Sequence, residues 1–385
     1  MRVKTIAHRN AGPAFLSAGR EKLDRLFPGL FEHIEAGPPD VIFFLSGGSE
    51  QEAIAGLVPE RFTLLLAGFE DNAYAAAMEV AAWAAHRQVP VRLMSLDEAR
   101  DCRFPEMLDS VCQALRRLKG QRAGLIGDVS HWLVASSVQK DRANEKLGLE
   151  IVHLPWHALP DYDSFLPDQE LYDAFRDHPR EGLTREAGIL GFLKHVRDIH
   201  KLDALTLECF NMVTERSVTA CLALAVLNAR GVPAGCEGDL VSLAGMMLAR
   251  ELTGRVPWMA NVAAIRGGRV LFAHCTAPLN LVERVRIDTH FETGKSAAIQ
   301  GQTIFDEVTV FRLNETLDKA FIAKGRVVSR PRHDFACRTQ SEVEMDLSDD
   351  RKLRDHPLGN HHLLLPGDQR DLLELCCQYT GIRLV

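Results

Sequence analysis

The segment Gly235-Cys236-Glu237-Gly238-Asp239 places two carboxylates on either side of a glycine, after Val232-Pro233-Ala234 and before a long apolar stretch. At a helix start, one carboxylate serves as a cap for the free amides. Two acids around a glycine also suit a cation. Oxygen ligands favour Mg²⁺ or Mn²⁺, and an imidazole added to the set shifts the choice toward Mn²⁺ or a similar transition metal. His274, in His274-Cys275-Thr276-Ala277-Pro278, ends the apolar run 270–273. A strand end before a loop is where ligands collect in α/β folds. Gly359-Asn360-His361-His362 leads into Leu363-Leu364-Leu365. Adjacent histidines on a strand face opposite sides, so one of the pair enters a given site and the other does not.

Two further acids stand near these groups in the reading. Glu208 follows Leu207 in the apolar strand 203–210, where an unpaired buried carboxylate costs several kcal/mol, so a bound cation is the expected reason for it. Glu215, nearer the next helix, reads as a helix-start carboxylate. Gly47-Gly48-Ser49-Glu50 reads as a tight strand-to-helix turn that can also offer amides to an anion. It is neither the GxGxxG fingerprint nor a P-loop.

The elements that must position these groups alternate at first. Apolar strands at 41–45, 63–67 and 89–94 alternate with an Ala-rich helix at 72–86, and a charged helix at 106–119 follows. The pattern restarts with strands at 122–127 and 149–154, an irregular stretch at 156–181, a helix at 188–201 and helices at 217–229 and 240–253. Parallel sheets follow, since parallel strands need crossover connections. Beyond residue 268, short strands at 270–273, 287–291, 296–300, 307–312 and 325–329 give the rhythm of an antiparallel barrel or sandwich, and a helix at 369–380 closes the chain. The reading is α/β, with two α/β domains at 1–120 and 121–265 and a β-rich C-terminal domain at 266–385.

Composition narrows the function. The 385 residues are 46% hydrophobic and 25% charged, with a net charge of −7. That balance belongs to a globular protein and gives no electrostatic reason to expect nucleic acid or an acidic membrane. No apolar run reaches the roughly 20 residues a membrane helix needs, and the N-terminus shows no secretory signal. Nine scattered cysteines without a CxxC pair suggest reduced thiols and a cytoplasmic setting.

At these residues the chain resembles the L-fucose isomerase-like superfamily, which includes the L-arabinose isomerases. The resemblance rests on Gly231-Val232-Pro233-Ala234-Gly235-Cys236-Glu237-Gly238-Asp239, His274-Cys275-Thr276-Ala277-Pro278 and His290-Phe291-Glu292-Thr293-Gly294. Cys337-Arg338-Thr339-Gln340 and Gly359-Asn360-His361-His362 extend it, with Gly47-Gly48-Ser49-Glu50 and Gly124-Leu125-Ile126-Gly127 in the first half. It implies two flavodoxin-like parallel-sheet domains plus a C-terminal β-barrel-like domain. It also implies a Mn²⁺-dependent (or other divalent metal) aldose–ketose isomerase working through an enediol on a small sugar, in a homo-oligomer, trimer or hexamer. The metal set it implies is Glu237, Asp239, His274 and His361, with His362 as the alternative register. Asp239 would also act in catalysis, and Asn360, His362 and Arg338 would bind substrate. The family's second metal-binding, proton-transferring glutamate falls near Ala220-Cys221, where this chain has no acid. Glu208, then Glu215, would have to supply that carboxylate. Two other readings stand beside this one: an enzyme of the same fold acting on an anionic or sulfonated sugar, with Arg338 and Gly47-Gly48 on its tail, and a non-catalytic sugar-binding protein.

Overall fold

The computed structural model describes residues 1–385. The sequence reading divides the chain at 120 and 265. Contacts in the structure instead divide it into two compact units, Met1–Arg116 with Glu374–Arg383, and Arg117–Leu373 with Leu384–Val385. The second α/β layer and the β-rich part therefore form one unit, and most of the closing helix Arg370–Thr380 belongs to the first.

In the first unit a five-stranded parallel sheet runs in the order Glu32–His33, Arg2–Ile6, Val41–Phe44, Thr63–Ala67, Val91–Ser95. Val41–Phe44 and Thr63–Ala67 are buried at every position. Central strands of a parallel sheet are covered on both faces, which is why they read as unbroken apolar runs.

The second unit starts with a four-stranded parallel sheet, in the order Glu150–Leu154, Arg122–Ile126, Ala204–Leu207, Ala234–Gly235. The strand expected over 203–210 stops at Leu207, and a helix begins at Cys209. The helix expected over 217–229 is found as Cys221–Ala229, and a separate helix, Cys209–Arg216, precedes it and ends where Ser217 takes a left-handed conformation at φ 51.

Six antiparallel strands then close into a barrel. Its order is Glu307–Leu313, His361–Pro366, Trp258–Arg266, Arg269–His274, Thr339–Met345, Lys319–Ser329, and the last pairs back with the first. Alternate residues fill the interior, among them Trp258, Val270, Phe272, Val308, Val310, Phe321, Val343 and Leu364. Closure leaves no free edge among these strands. Two of the expected strands are not barrel staves: Val282–Asp288 and Ala298–Thr303 form a separate two-stranded ribbon. The helix Leu240–Thr253 contacts Ala204–Leu207 and the barrel strands Glu307–Leu313 and His361–Pro366. Sheet and barrel thus share one packed helix, and its first turn lies at the site described next. No helix is long and apolar enough to cross a membrane.

Candidate metal centre

Glu237, His274 and His361 each offer a ligand atom, and the three atoms lie within 4.8 Å of one another. They come from three elements. Glu237 sits in the turn between the strand Ala234–Gly235 and the helix Leu240–Thr253, at φ 60, followed by Gly238 at φ 70. This turn is pinned by Gly238 N–H donating to the Leu207 carbonyl (2.9 Å) and Ser130 N–H donating to the Glu237 carbonyl (3.0 Å). A side chain on Gly238 would strike the Asp128 backbone, so glycine is required both by its φ and by the close approach. His274 ends the strand Arg269–His274, and His361 begins His361–Pro366.

Each ligand is held from behind. The Trp132 indole donates to Glu237 Oε2 at 2.6 Å, leaving Oε1 at 3.7 Å from His361 Nε2. His361 Nδ1 lies 2.9 Å from Asp239 Oδ2. His274 Nδ1 accepts from Cys275 N–H at 2.9 Å and lies 3.1 Å from Thr276 Oγ1. The Nε2 atoms of both histidines are buried and have no hydrogen-bond partner. Unpaired buried polar atoms are costly, so two of them beside a carboxylate call for a ligand. A carboxylate on the far nitrogen of a histidine is also the usual support for a metal-ligating ring. The residues therefore fit a divalent cation.

Asp239 is expected among the ligands, and the structure moves it one layer back. Its side chain accepts from Ser242 N–H (2.7 Å), Ser242 Oγ (2.9 Å) and Arg312 Nη1 (3.0 Å), besides meeting His361. It caps the helix and positions the histidine, and four hydrogen-bond partners account for it without an ion. Arg312 is fully buried, and its guanidinium also donates to Ser242 Oγ, the His361 carbonyl and Ser136 Oγ. Gly359 leaves the space for this group, since a side chain there would run into the guanidinium.

The electrostatics follow from this packing. Burial works against ionisation of Glu237, but the neighbouring His361, the His274 ring and the Trp132 hydrogen bond outweigh it and pull the carboxyl down to about 2. Asp239 is held further below the usual range against the same burial cost, chiefly by the Arg312 charge and by His361. Burial opposes protonation of His361, yet its bond to Asp239 and the nearby Glu237 charge raise it to about 9. Burial and the neighbouring His361 lower His274 to about 4. Pairs of like residues pushed apart in this way mark functional sites.

The other expected residues lie elsewhere. Glu208 is half-buried at the cap position before Cys209–Arg216, and its carboxylate accepts from Asn211 Nδ2 (2.7 Å), Asp128 N–H (3.1 Å) and the Trp156 indole (3.1 Å). These donors explain the acid without a cation, contrary to the sequence argument. Glu215 is exposed and lines a different cavity of about 380 Å³, with Trp156, Tyr162 and Arg216. His362 points into the barrel, where its ring meets Phe272 and Phe321 at 6.2 and 5.7 Å. It is therefore a core residue, not a substrate contact. Asn360 is exposed and donates to Asn261 Oδ1 at 2.6 Å. Arg338 is held by the Thr289 carbonyl and hydroxyl at 2.7 and 2.9 Å.

Trp132 and Arg312 carry no clear sequence signal as parts of a site, and Glu292 lies in a segment of the resemblance without a role of its own there. Glu292 belongs to the segment His290-Phe291-Glu292, whose Phe291 packs against Cys221, Ala273, Cys275 and Cys337 beside His274. His290 Nε2 lies 3.3 Å from Glu292 Oε2, and the His290 ring meets Phe210, which meets Trp132. Partial burial raises the Glu292 carboxyl against the pull of His290, with the Cys275 and Glu237 charges adding to the rise. Cys221, at the place of the missing family acid, is buried, and its hydrogen bond to Cys275 raises its thiol well above the ordinary value.

Comparison with protein-family models finds no match for this chain, and comparison with curated proteins finds none either. What the structure itself defines is a class: a parallel α/β chain with a closed antiparallel barrel and a Glu/His/His centre at the strand ends.

Proposed function

We propose that the chain is a divalent-metal-dependent enzyme that interconverts an aldose and a ketose through an enediol, with Mn²⁺ as the ion. The observation that carries the reading is the pair of buried, unpartnered Nε2 atoms of His274 and His361 facing the Glu237 carboxylate. The order of these residues along the chain agrees with the resemblance to the fucose and arabinose isomerases, and the mixed nitrogen and oxygen set suits Mn²⁺.

A divalent ion held there supplies positive charge for the oxyanion that develops on neighbouring sugar oxygens. The chain's own residues do the rest. Trp132 fixes Glu237, and Asp239, itself fixed by Arg312 and Ser242, fixes the His361 ring. Proton transfer between the neighbouring carbons needs a carboxyl that can both accept and release a proton. Glu292 is assigned that role in place of Glu208: its side chain is 43% exposed, and the adjacent Phe291 packs on the cluster that holds Ala273 and Cys275, the neighbours of His274.

Incubation with aldopentoses and deoxyhexoses in D₂O with Mn²⁺ tests this. Deuterium at C2 is expected with the wild type. It should fall at least a hundredfold in Glu292→Gln, which should still be stabilised by Mn²⁺. No exchange on any sugar with the metal bound contradicts the proposal and favours a sugar-binding protein.

A further inference from the structure

Far along the sequence from Glu237, the ribbon and the segments beside it gather arginines. A cavity of about 180 Å³ is lined by Arg284, Arg286, Arg330, Arg332 and Arg338 with the amides of Gln300 and Gln302. It shares no lining residue with the metal centre. The five cations arrive from three stretches of chain: the strand Val282–Asp288, the segment after Lys319–Ser329, and the approach to Thr339–Met345. Such convergence is unexpected in a chain whose net charge is −7.

The ribbon is shaped for it. Glu283 pairs with Gln302 and Arg286 with Gln300, so Arg284 and Val285 together stand opposite Gly301 in a β-bulge. Arg284 takes φ 51, the left-handed region that a non-glycine residue adopts only when its surroundings impose it. Gly301 has no side chain to contest the space, since one would press on Val282. The ribbon is fastened to the barrel by Thr339 Oγ1 donating to the Ile299 carbonyl (2.9 Å) and by Thr303 and Ser341 hydroxyls 2.8 Å apart.

Two of the arginines are neutralised locally. Arg330 meets Asp306 at 2.7 Å, and Arg338 lies 3.7 Å from Asp288. The others are not. Arg332 is bonded to the neutral Gln300 side chain, Arg286 has no carboxylate within ion-pair distance, and Arg284 lies 4.0 Å from Glu283 at the limit of such a pair. Two guanidiniums without a carboxylate partner, and a third paired only at 4.0 Å, around one concave space form a receptor for oxyanions, because the guanidinium fork matches phosphoryl and sulfuryl oxygens in pairs.

We propose that this cavity binds a compact multivalent oxyanion, a phosphoryl or sulfuryl group of a small molecule, at a site separate from the metal centre. The probe is inorganic pyrophosphate, titrated into EDTA-treated protein at constant ionic strength and read by calorimetry and melting temperature, with sulfate and NaCl run in parallel. Pyrophosphate is expected to bind and raise the melting temperature, and sulfate to do the same more weakly if sulfuryl groups share the site. Arg286→Gln/Arg332→Gln should weaken pyrophosphate at least tenfold, and His361→Ala should leave its affinity unchanged. Both arginines are exposed, so the double variant is expected to fold; its melting temperature without ligand checks this, and Arg284→Gln repeats the test by itself. Equal affinity in the arginine variants overturns the proposal, as does a response no greater than that to NaCl. So does a loss of oligomer mass in the variants with pyrophosphate binding intact, which would make the arginines an interface between copies.

Discussion

Asp40 and Asp239 are the same group in similar surroundings, at 1% and 0% exposure and each against arginine. Asp40 precedes the strand Val41–Phe44, at the amino end of the first parallel sheet. It accepts from Arg2 N–H (2.7 Å), the Tyr379 hydroxyl (2.6 Å), Arg116 (3.3 Å) and Arg61. Those partners all belong to the first unit and hold it together, although the Nε atoms of Arg2 and Arg61 are left without a hydrogen-bond partner. Asp239 follows the strand Ala234–Gly235, at the carboxyl end of the second sheet, and one of its partners is a histidine whose outer nitrogen has nothing to bond. The first arrangement ends in structure and the second leads outward to a ligand. Carboxyl ends of parallel strands are where binding groups collect, and the pair shows why burial and charge alone do not identify a site. Unspent imidazole nitrogens that converge on a carboxylate do: those of His274 and His361 meet Glu237, whereas the unspent Nε atoms of Arg61 and Arg2 belong to no such cluster.

Four substitutions sharpen or break the contrast. Asp239→Ala leaves Arg312 buried without its counter-charge and should cost about 3–5 kcal/mol in urea denaturation, while abolishing stabilisation by Mn²⁺. His274→Ala should fold but lose the metal increment, about 2.7 kcal/mol at a hundredfold excess of Mn²⁺ over its dissociation constant. Asp40→Ala should cost only about 2 kcal/mol, since Arg61 and Arg116 keep 21% and 47% of their side chains in water, and Mn²⁺ should stabilise the variant as it does the wild type. Trp132→Phe removes one bond to Glu237 and should weaken Mn²⁺ about tenfold in calorimetry, near 1.4 kcal/mol, with folding little changed. If Asp40→Ala also lost its response to Mn²⁺, the distinction between the two aspartates would fail.

The sequence carried the strand-end residues and withheld the layer behind them. Glu237, His274 and His361 are visible as acids and histidines at the ends of apolar runs. Asp239 looks like a ligand because a cap and a ligand have the same residue type, and only its bonds to Ser242 and Arg312 separate them. Arg312 stands 73 positions from Asp239, a pairing no local pattern encodes. The alternation of strand faces already says that one of His361 and His362 leaves the site, but which one depends on the barrel register, with His362 opposite Ala260 in the interior series. Glu208 reads in the sequence as an isolated buried charge, whereas Trp156 and the Asp128 amide come to it from distant segments and Asn211 from the helix it caps. The first sheet is legible from its unbroken apolar central strands, Val41–Phe44 and Thr63–Ala67, and the second from the restart of the same alternation. The barrel was legible only as a rhythm, because Trp258–Arg266 and His361–Pro366 pair across about 100 residues, and two of the expected strands turn out to form the outer ribbon.

The central claim is that Glu237, His274 and His361 together hold one divalent ion. Anomalous diffraction at the manganese edge, from crystals of the whole chain grown with Mn²⁺, addresses it most directly. The account predicts one strong peak per chain within bonding distance, about 2.0–2.3 Å, of a Glu237 carboxylate oxygen and the Nε2 atoms of His274 and His361. A peak bonded to Asp239 or Glu208 instead, or none at this cluster at saturating Mn²⁺, would contradict it.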